Sequence, residues 1–234
     1  MNCLLCNNTV DFKLNIKWIL SLKKYKRDNV CKRCREELRK CKIANACEGC
    51  GREQKKLLLC NDCIKWKNNN KILLNNKSIY TYDNLIIKKY FERYKFMGDY
   101  YWRKIFNIEF KNFITNNYPS KDWIYIPIPV DEYTMQHRGF NQVEGLIGDL
   151  PYSRVLKMKK LKRDKKQSEK SRSERLKTQQ PFEYIGDKLQ GNYVIIDDVY
   201  TTGRTLYYAQ ELLLKNGASR VCSVTLARWV KKLL

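Results

Sequence analysis

Apolar and polar positions change rhythm several times along this chain, and each change predicts a different element. Ser78-Ile79-Tyr80-Thr81-Tyr82 alternates with a period of two, the pattern of a half-buried strand. From Leu85 to Phe96 the apolar residues Leu85, Ile86, Tyr90, Phe91 and Tyr94 fall near helical spacing, which predicts a helix. Trp102 to Phe113 repeats that spacing with Ile105, Phe106, Ile108, Phe110 and Phe113, and Gly98 between the two marks a helix end. Trp123-Ile124-Tyr125-Ile126-Pro127-Ile128-Pro129-Val130 is an apolar run closed by prolines, a buried strand entering a loop. Further on, Tyr193-Val194-Ile195-Ile196 predicts a buried strand, Leu206 to Lys215 a helix and Val221 to Arg228 a late strand. Alternating strands and helices predict an α/β fold with a mostly parallel sheet flanked by helices.

Before residue 66 the dominant signal is cysteine. Nine of the ten cysteines precede Ile64, and eight form C-x-x-C pairs: Cys3/Cys6, Cys31/Cys34, Cys47/Cys50 and Cys60/Cys63. Two intervening residues let both sulfurs reach one ion at about 2.3 Å, so four pairs predict two zinc sites, each held by four cysteines. Sequential pairing gives Cys3, Cys6, Cys31 and Cys34 to one ion, and Cys47, Cys50, Cys60 and Cys63 to the other; a cross-braced pairing stays open. Gly49 and Gly51 suit the tight turn around Cys50, and zinc would supply much of the folding energy of so short a segment. Cys41 and Cys222 have no such partner and are expected to pack. The expected division is a zinc module over residues 1–66, a polar Asn- and Lys-rich linker over 67–77, and an α/β domain over 78–234.

Composition then narrows the partners. The 234 residues are 43% hydrophobic, enough for a core, which excludes wholesale disorder. Lys and Arg total 47 against 24 Asp and Glu, a formal charge of +23, or about +19 with both zinc sites filled. Such a balance favours a polyanion: nucleic acid, a phosphorylated ligand or an anionic membrane. No run approaches the roughly 18 apolar residues of a membrane span. The start shows neither a basic n-region nor an apolar h-region, so a cytoplasmic protein with reduced thiols is expected. Twelve Lys/Arg and three Asp/Glu lie between Arg154 and Lys177. This basic segment, about 154–180, reads either as a solvated mobile hood or as a surface that neutralises a nucleic-acid backbone. Lys157, Lys159, Lys160, Lys162, Arg163, Lys165 and Lys166 are the candidate contacts. Tyr200, Phe140 and Trp123 are candidates for stacking on bases, although aromatics are more often core. Trp229 is expected to pack at the chain end. His137, the only histidine, is expected to make a loop hydrogen bond rather than act as a general base.

The richest chemistry lies in Tyr193-Val194-Ile195-Ile196-Asp197-Asp198-Val199-Tyr200-Thr201-Thr202-Gly203-Arg204-Thr205. It combines a buried strand, two carboxylates at its C-terminal edge, a hydroxyl-and-glycine loop and a helix start. Open α/β sheets bind ligands at that edge. Thr201, Thr202 and Thr205 offer hydroxyls, Gly203 allows close approach, and the start of a helix favours an anion. Asp197 and Asp198 suit a ribose diol, directly or through Mg²⁺ and its waters.

This stretch resembles the 5-phosphoribosyl diphosphate (PRPP) signature of type I phosphoribosyltransferases. With His137-Arg138-Gly139-Phe140-Asn141-Gln142, the Lys95-Phe96-x-Gly98-Asp99 element and the leading cysteine module, nearly the whole chain resembles the ComF family. The resemblance implies a phosphoribosyltransferase-like fold and a role in DNA uptake during natural transformation, acting on incoming single strands at the cytoplasmic side. It also implies partners among uptake or recombination proteins. By resemblance, the 5′-phosphate falls to Thr201, Thr202, Gly203, Arg204 and Thr205, the ribose to Asp197 and Asp198, and pyrophosphate to a loop holding Arg138 and Gly139. Gln167 to Arg175 resembles the family's flexible loop, with Lys170 in place of the usual Leu. Thr134 stands where relatives often carry an Arg, and losing that cation weakens stabilisation of a pyrophosphate leaving group. No catalytic residue is assigned. Two main readings therefore stand: a single-stranded-DNA-handling protein with a PRPP-type loop, and an active Mg²⁺-dependent phosphoribosyltransferase of unknown acceptor. A zinc adaptor on a degenerate scaffold is the third and blandest.

Overall fold

The computed structural model describes residues 2–10, 16, 20, 28–38, 40–41, 46–54, 58–69, 71–160 and 180–230. The described residues form six strands: β1 Asn76–Thr81, β2 Trp123–Pro127, β3 Leu156–Met158, β4 Phe182–Tyr184, β5 Asn192–Tyr200 and β6 Arg220–Arg228. Seven α-helices accompany them among the described residues: α1 Lys32–Glu36, α2 Asn61–Asn68, α3 Leu85–Phe91, α4 Asn107–Asn117, α5 Glu132–Arg138, α6 Gln142–Ile147 and α7 Arg204–Lys215. No helix among the described residues is long and apolar enough to cross a membrane.

The main sheet has the order β1-β6-β5-β2, and every pairing in it is parallel. Its two central strands carry near-continuous buried runs, Tyr193 to Ile196 and Val221 to Ala227, as strands covered on both faces must. Successive residues of β5 enter opposite cores. Val194 and Ile196 join α3, α4 and α6 on one face, whereas Tyr193 and Ile195 join α7 on the other.

The two cysteine clusters divide between those cores. Cys3, Cys31 and Cys34 pack with Ile79, Tyr90 and Phe91, and Cys47, Cys50, Cys60 and Cys63 pack with Leu206, Tyr207 and Ala209. The cysteine-bearing segments thus clasp the β1 side of the sheet from both faces. Hydrogen bonds fix the clasp at Asn76 N–H to the Gly49 carbonyl, 2.6 Å, and at Lys89 Nζ to the Leu5 carbonyl, 3.0 Å.

Element boundaries differ from the expectation: β5 runs on to Tyr200 and α7 starts at Arg204, and three further differences are larger in consequence. β1 begins at Asn76, two residues before the start of the alternating pattern, and Leu74 ahead of it is fully buried with its N–H on the Tyr207 hydroxyl, 3.3 Å. The helix expected over Leu85 to Phe96 is α-helical only to Phe91. It widens into a π turn over Glu92–Phe96, where Met97 N–H reaches the Glu92 carbonyl five residues back. The helix expected from Trp102 opens as a 3₁₀ segment, Tyr100–Ile105, and becomes α-helical only at Asn107. Short β3 and β4 form a separate antiparallel ribbon at the base of the basic segment.

Candidate functional site

The C-terminal ends of β2 and β5 lie side by side, and the chain leaves them toward opposite faces of the sheet. Residues of α6, after β2, pack in one core; α7, after β5, packs in the other. A crevice opens where such connections diverge. Three separated sequence blocks meet there.

The first is the Asp197–Asp198 pair, which lies within β5 two residues before its end at Tyr200 rather than past the strand. Asp198 is 3% exposed, Asp197 half-buried, and the Asp198 N–H donates to Asp197 Oδ1 at 2.8 Å. Burial, and then the neighbouring Asp198 charge, push the Asp197 carboxyl up to about 7. Asp198 Oδ1 accepts an ion-paired contact from Lys95 Nζ at 2.8 Å, but its Oδ2 is buried without a partner among the described residues. A buried carboxylate oxygen left over is costly unless a donor or cation meets it.

The second block supplies that lysine. Lys95 sits inside the π turn, and its ammonium lies 4.8 Å from the centre of the Phe91 ring. The wider turn changes where side chains point from Glu92 onward. Tyr94 stays fully buried while Lys95 reaches Asp198.

The third block is the turn between α5 and α6. Arg138 Nε donates to the Lys95 carbonyl at 2.8 Å, and its Nη1 donates to Gln142 Oε1. Tyr94 hydroxyl donates to the Gln142 carbonyl at 2.8 Å, and Phe140 packs on Tyr94 and Tyr100 at 5.2 and 4.8 Å. Asn141 caps α6 through the N–H groups of Val143 and Glu144, and its amide reaches the Ile128 carbonyl after β2 at 3.1 Å. Gly139 closes α5 in the left-handed region.

The loop from Thr201 to Gly203 follows β5. Thr201, Thr202, Arg204 and Thr205 are exposed, and Gly203 is buried. Gly203 has φ +81°, and a Cβ there would lie 2.2 Å from the Tyr200 hydroxyl, so only glycine fits. Arg204 N–H approaches Thr202 Oγ1 at 3.4 Å.

The expected stacking residues are accounted for differently. Tyr200 is 2% exposed, with its ring beneath the Arg228 guanidinium at 4.3 Å; Phe140 is packed as described. Trp123 starts β2, at the opposite end of the strands, against Tyr118 and Arg220. Tyr200 is thus closed to a base, whereas Phe140 and Trp123 are half-buried against their neighbouring rings. Exposed aromatics occur instead at Phe96, Tyr100 and Tyr101, with Arg103 over the Tyr100 ring at 4.0 Å and Lys104 over the Tyr101 ring at 4.1 Å. His137 is exposed, its ring tilted against Tyr133, and bonded through Nδ1 to the Tyr133 carbonyl at 2.9 Å. Trp229 is 41% exposed rather than packed away, and Cys222 is buried in the sheet core.

Of the basic candidates, Lys157 stands 3.8 Å from Glu183 across the ribbon, Lys160 pairs with Glu132 at 3.0 Å, and Lys159 is exposed. Lys162, Arg163, Lys165, Lys166, Gln167 and Arg175 lie outside the described residues.

Both cysteine clusters are built alike. Cys3-x-x-Cys6 and Cys47-x-x-Cys50 form turns closed by a left-handed residue, Asn7 at φ 62° and Gly51 at φ 68°. Cys31 and Cys60 then cap short helices, bringing Cys34 and Cys63 inward. N–H groups support the sulfurs: Cys31 to Cys3 Sγ and Cys60 to Cys47 Sγ, each 3.3 Å. Within each set all sulfurs lie within 4.8 Å of one another, including Cys6–Cys31 at 3.6 Å and Cys50–Cys60 at 3.5 Å. Tetrahedral zinc with bonds of about 2.3 Å fits that spacing. The sequential sets are the ones brought together.

Sequence reasoning assigned no role to Lys95, Trp66 or Arg228. The clearest available signal was Arg228 itself, a cation closing the uncharged run Val221 to Ala227.

No family model matches the chain. The chain is 34% identical over 231 residues to "Competence protein ComFC" of Bacillus subtilis (strain 168), covering 97% of this chain and 94% of that one. It is 37% identical over 157 residues to "Competence protein ComFC" of Streptococcus pneumoniae (strain ATCC BAA-255 / R6), covering 66% and 69% respectively.

Proposed function

Since this chain belongs to the ComFC family of competence proteins, we propose that it handles incoming single-stranded DNA during natural transformation, in the cytoplasm, and binds a phosphorylated ligand of PRPP type at the β5 edge. A competence-associated role follows from the family; the DNA and the ligand are this reading's own. One observation carries it: the carboxylate pair held by Lys95 lies in the strand that leads into the exposed threonine loop, and exposed Phe96, next to Lys95, and exposed Tyr100, against Phe140 and beneath Arg103, flank the same residues. Bases can stack on Phe96, Tyr100 and Tyr101 while Arg103 and Lys104 meet phosphates. The basic segment after Arg154 adds sequence-independent attraction.

For the small ligand, the exposed hydroxyls and N–H groups of Thr201 to Thr205 are suited to a 5′-phosphate, and Asp197 with Asp198 Oδ2 to a ribose diol or its Mg²⁺. Lys95 holds the other Asp198 oxygen and sets the carboxylate plane. Mg²⁺, when bound, supplies positive charge next to the phosphates. Arg138 is already committed to the Lys95 carbonyl and to Gln142, and no second cation stands at Thr134. This arrangement favours ligand binding over expulsion of pyrophosphate, so the transferase is the second reading.

The test is fluorescence anisotropy of a labelled single-stranded oligonucleotide across a salt series, with and without PRPP and Mg²⁺. Salt-sensitive binding is expected, weakened severalfold in Tyr100→Ala/Tyr101→Ala. Absence of binding at low salt overturns the DNA reading. Pyrophosphate release from PRPP above an Asp197→Asn/Asp198→Asn control would instead put the transferase first.

A further inference from the structure

Arg228 ends β6 with 1% of its surface exposed. No carboxylate pairs with it among the described residues. One edge of its guanidinium faces the second cysteine cluster: Nε donates to the Cys50 carbonyl at 3.1 Å and Nη2 to Cys50 Sγ at 3.3 Å. The other edge faces the loop. Nη1 is shared among the carbonyls of Tyr200 at 3.0 Å, Thr201 at 2.8 Å and Trp229 at 2.7 Å. A second tie runs in parallel. Trp66, on the helix that begins at the Cys60 cap, donates Nε1–H to the Thr202 carbonyl at 3.1 Å and stacks on Tyr207 of α7 at 4.3 Å.

Three successive loop carbonyls are therefore gripped from the side of the Cys47–Cys63 cluster. In a planar trans peptide the C=O and the following N–H point opposite ways. Holding the carbonyls of Tyr200, Thr201 and Thr202 thus turns the N–H groups of Thr201, Thr202 and Gly203 to the other side. Successive N–H groups turned to one side make an anion nest. The buried guanidinium also requires a negative counterpart, and four thiolates around one Zn²⁺ carry a net negative charge.

We propose that the Cys47–Cys50–Cys60–Cys63 metal centre is the counterion and backstop of the phosphate-type loop, with Arg228 and Trp66 as positioning residues that transmit metal occupancy to the loop's N–H groups. The ligand side of this proposal rests on the anion-binding reading above; the mechanical coupling does not. Loading the second centre organises the loop. Reciprocally, an anion in the loop slows loss of metal.

The experiment uses the full zinc-loaded chain. Zinc release to a chromophoric chelator, hydrogen exchange of the 201–203 amides and binding of Mg²⁺–pyrophosphate are compared in wild type, Arg228→Gln, Arg228→Lys and Trp66→Phe. Arg228→Gln is expected to speed zinc loss from the second centre tenfold or more and to speed loop exchange, while the Cys3–Cys34 centre releases at its usual rate. Arg228→Lys, which keeps the charge but not the fork, restores the zinc rate in part and the loop protection little. Trp66→Phe keeps the stack, leaves zinc release unchanged and speeds exchange in the loop. Pyrophosphate is expected to slow zinc loss from the second centre of wild type. Wild-type zinc and exchange rates in Arg228→Gln overturn the proposal. Should Arg228→Gln fail to fold, unchanged loop exchange in Trp66→Phe, or in Gly49→Ala, whose added Cβ would lie 2.8 Å from Cys63 Sγ and displace the second zinc, overturns it equally. If wild type does not bind pyrophosphate, the anion-binding reading fails, and the zinc and exchange rates still decide the coupling.

Discussion

Lys95 and Asp198 meet at 2.8 Å across the crevice, the lysine side chain 19% exposed and the aspartate side chain 4%. Little water reaches either group, so each depends on the other for charge compensation. Removing one partner should cost about 3 kcal/mol, because it strands a charge in a dry site. Lys95→Met and Asp198→Asn are each expected to lower the urea midpoint strongly, and the double variant to recover much of the loss. A double-mutant cycle with no coupling energy would contradict the pairing.

Asp197 is governed by burial rather than by an ion pair. Burial and the Asp198 charge raise its carboxyl to about 7, so the folded protein prefers it protonated. Its contribution to stability is fully present below the unfolded value near 3.8 and is lost as pH rises through about 7. Asp197→Asn keeps an acceptor for the Asp198 N–H and removes the titration. Its advantage over wild type should be absent at pH 4 and should grow to a plateau near pH 8. Urea titrations of both proteins at half-unit intervals measure the difference directly. A flat difference would mean that solvent reaches Asp197 freely.

The sheet was legible in the sequence because its strands carry short runs rich in apolar residues, as in Tyr193–Ile196; the alternation read at β1 does not hold, since Ile79, Tyr80 and Thr81 are buried in succession. The zinc sets were legible because C-x-x-C spacing alone constrains geometry. The π turn was not. It leaves the apolar residues Tyr90, Phe91 and Tyr94 near helical spacing, so its effect shows only in where Lys95 points. Nor were Arg228 and Trp66 legible as partners of the loop. Their contacts join segments 178 and 136 residues apart, and no local pattern encodes such a meeting. Tyr200 falls out as a stacking candidate for a related reason. Sequence adjacency to the loop did not reveal that Tyr200 points inward beneath Arg228.

Gly203→Ala should disable the loop without touching its threonines. The new methyl would lie 2.2 Å from the Tyr200 hydroxyl and 2.5 Å from its ring carbon, on a backbone at φ +81°. Tyr200 is fully buried and cannot step aside. A strain of about 2 kcal/mol or more must then emerge as lost stability or a displaced loop. Calorimetric binding of Mg²⁺–PRPP is expected to weaken at least tenfold, whereas Thr205→Ala, on an exposed side chain, should weaken it less. Equal affinities for wild type and Gly203→Ala would remove the loop from the binding site.

The two cysteine sets should also part company toward a chelator. Cys6 is exposed, whereas Cys47, Cys50, Cys60 and Cys63 are all buried, the last packed so closely that a Cβ on Gly49 would sit 2.8 Å from its sulfur. A competing ligand can approach the first ion through Cys6 but must wait for local opening to reach the second. Zinc release is therefore expected in two phases of equal amplitude, the fast one absent in Cys6→Ser. Gly49→Ala should cut the zinc content from two equivalents toward one and abolish the slow phase alone. Because each set is part of a different face of the sheet, losing the first ion should loosen the core around Tyr90 and Phe91 while leaving α7 protected from hydrogen exchange. Uniform deprotection of both faces during the fast phase would show that the two metal centres stabilise one inseparable core.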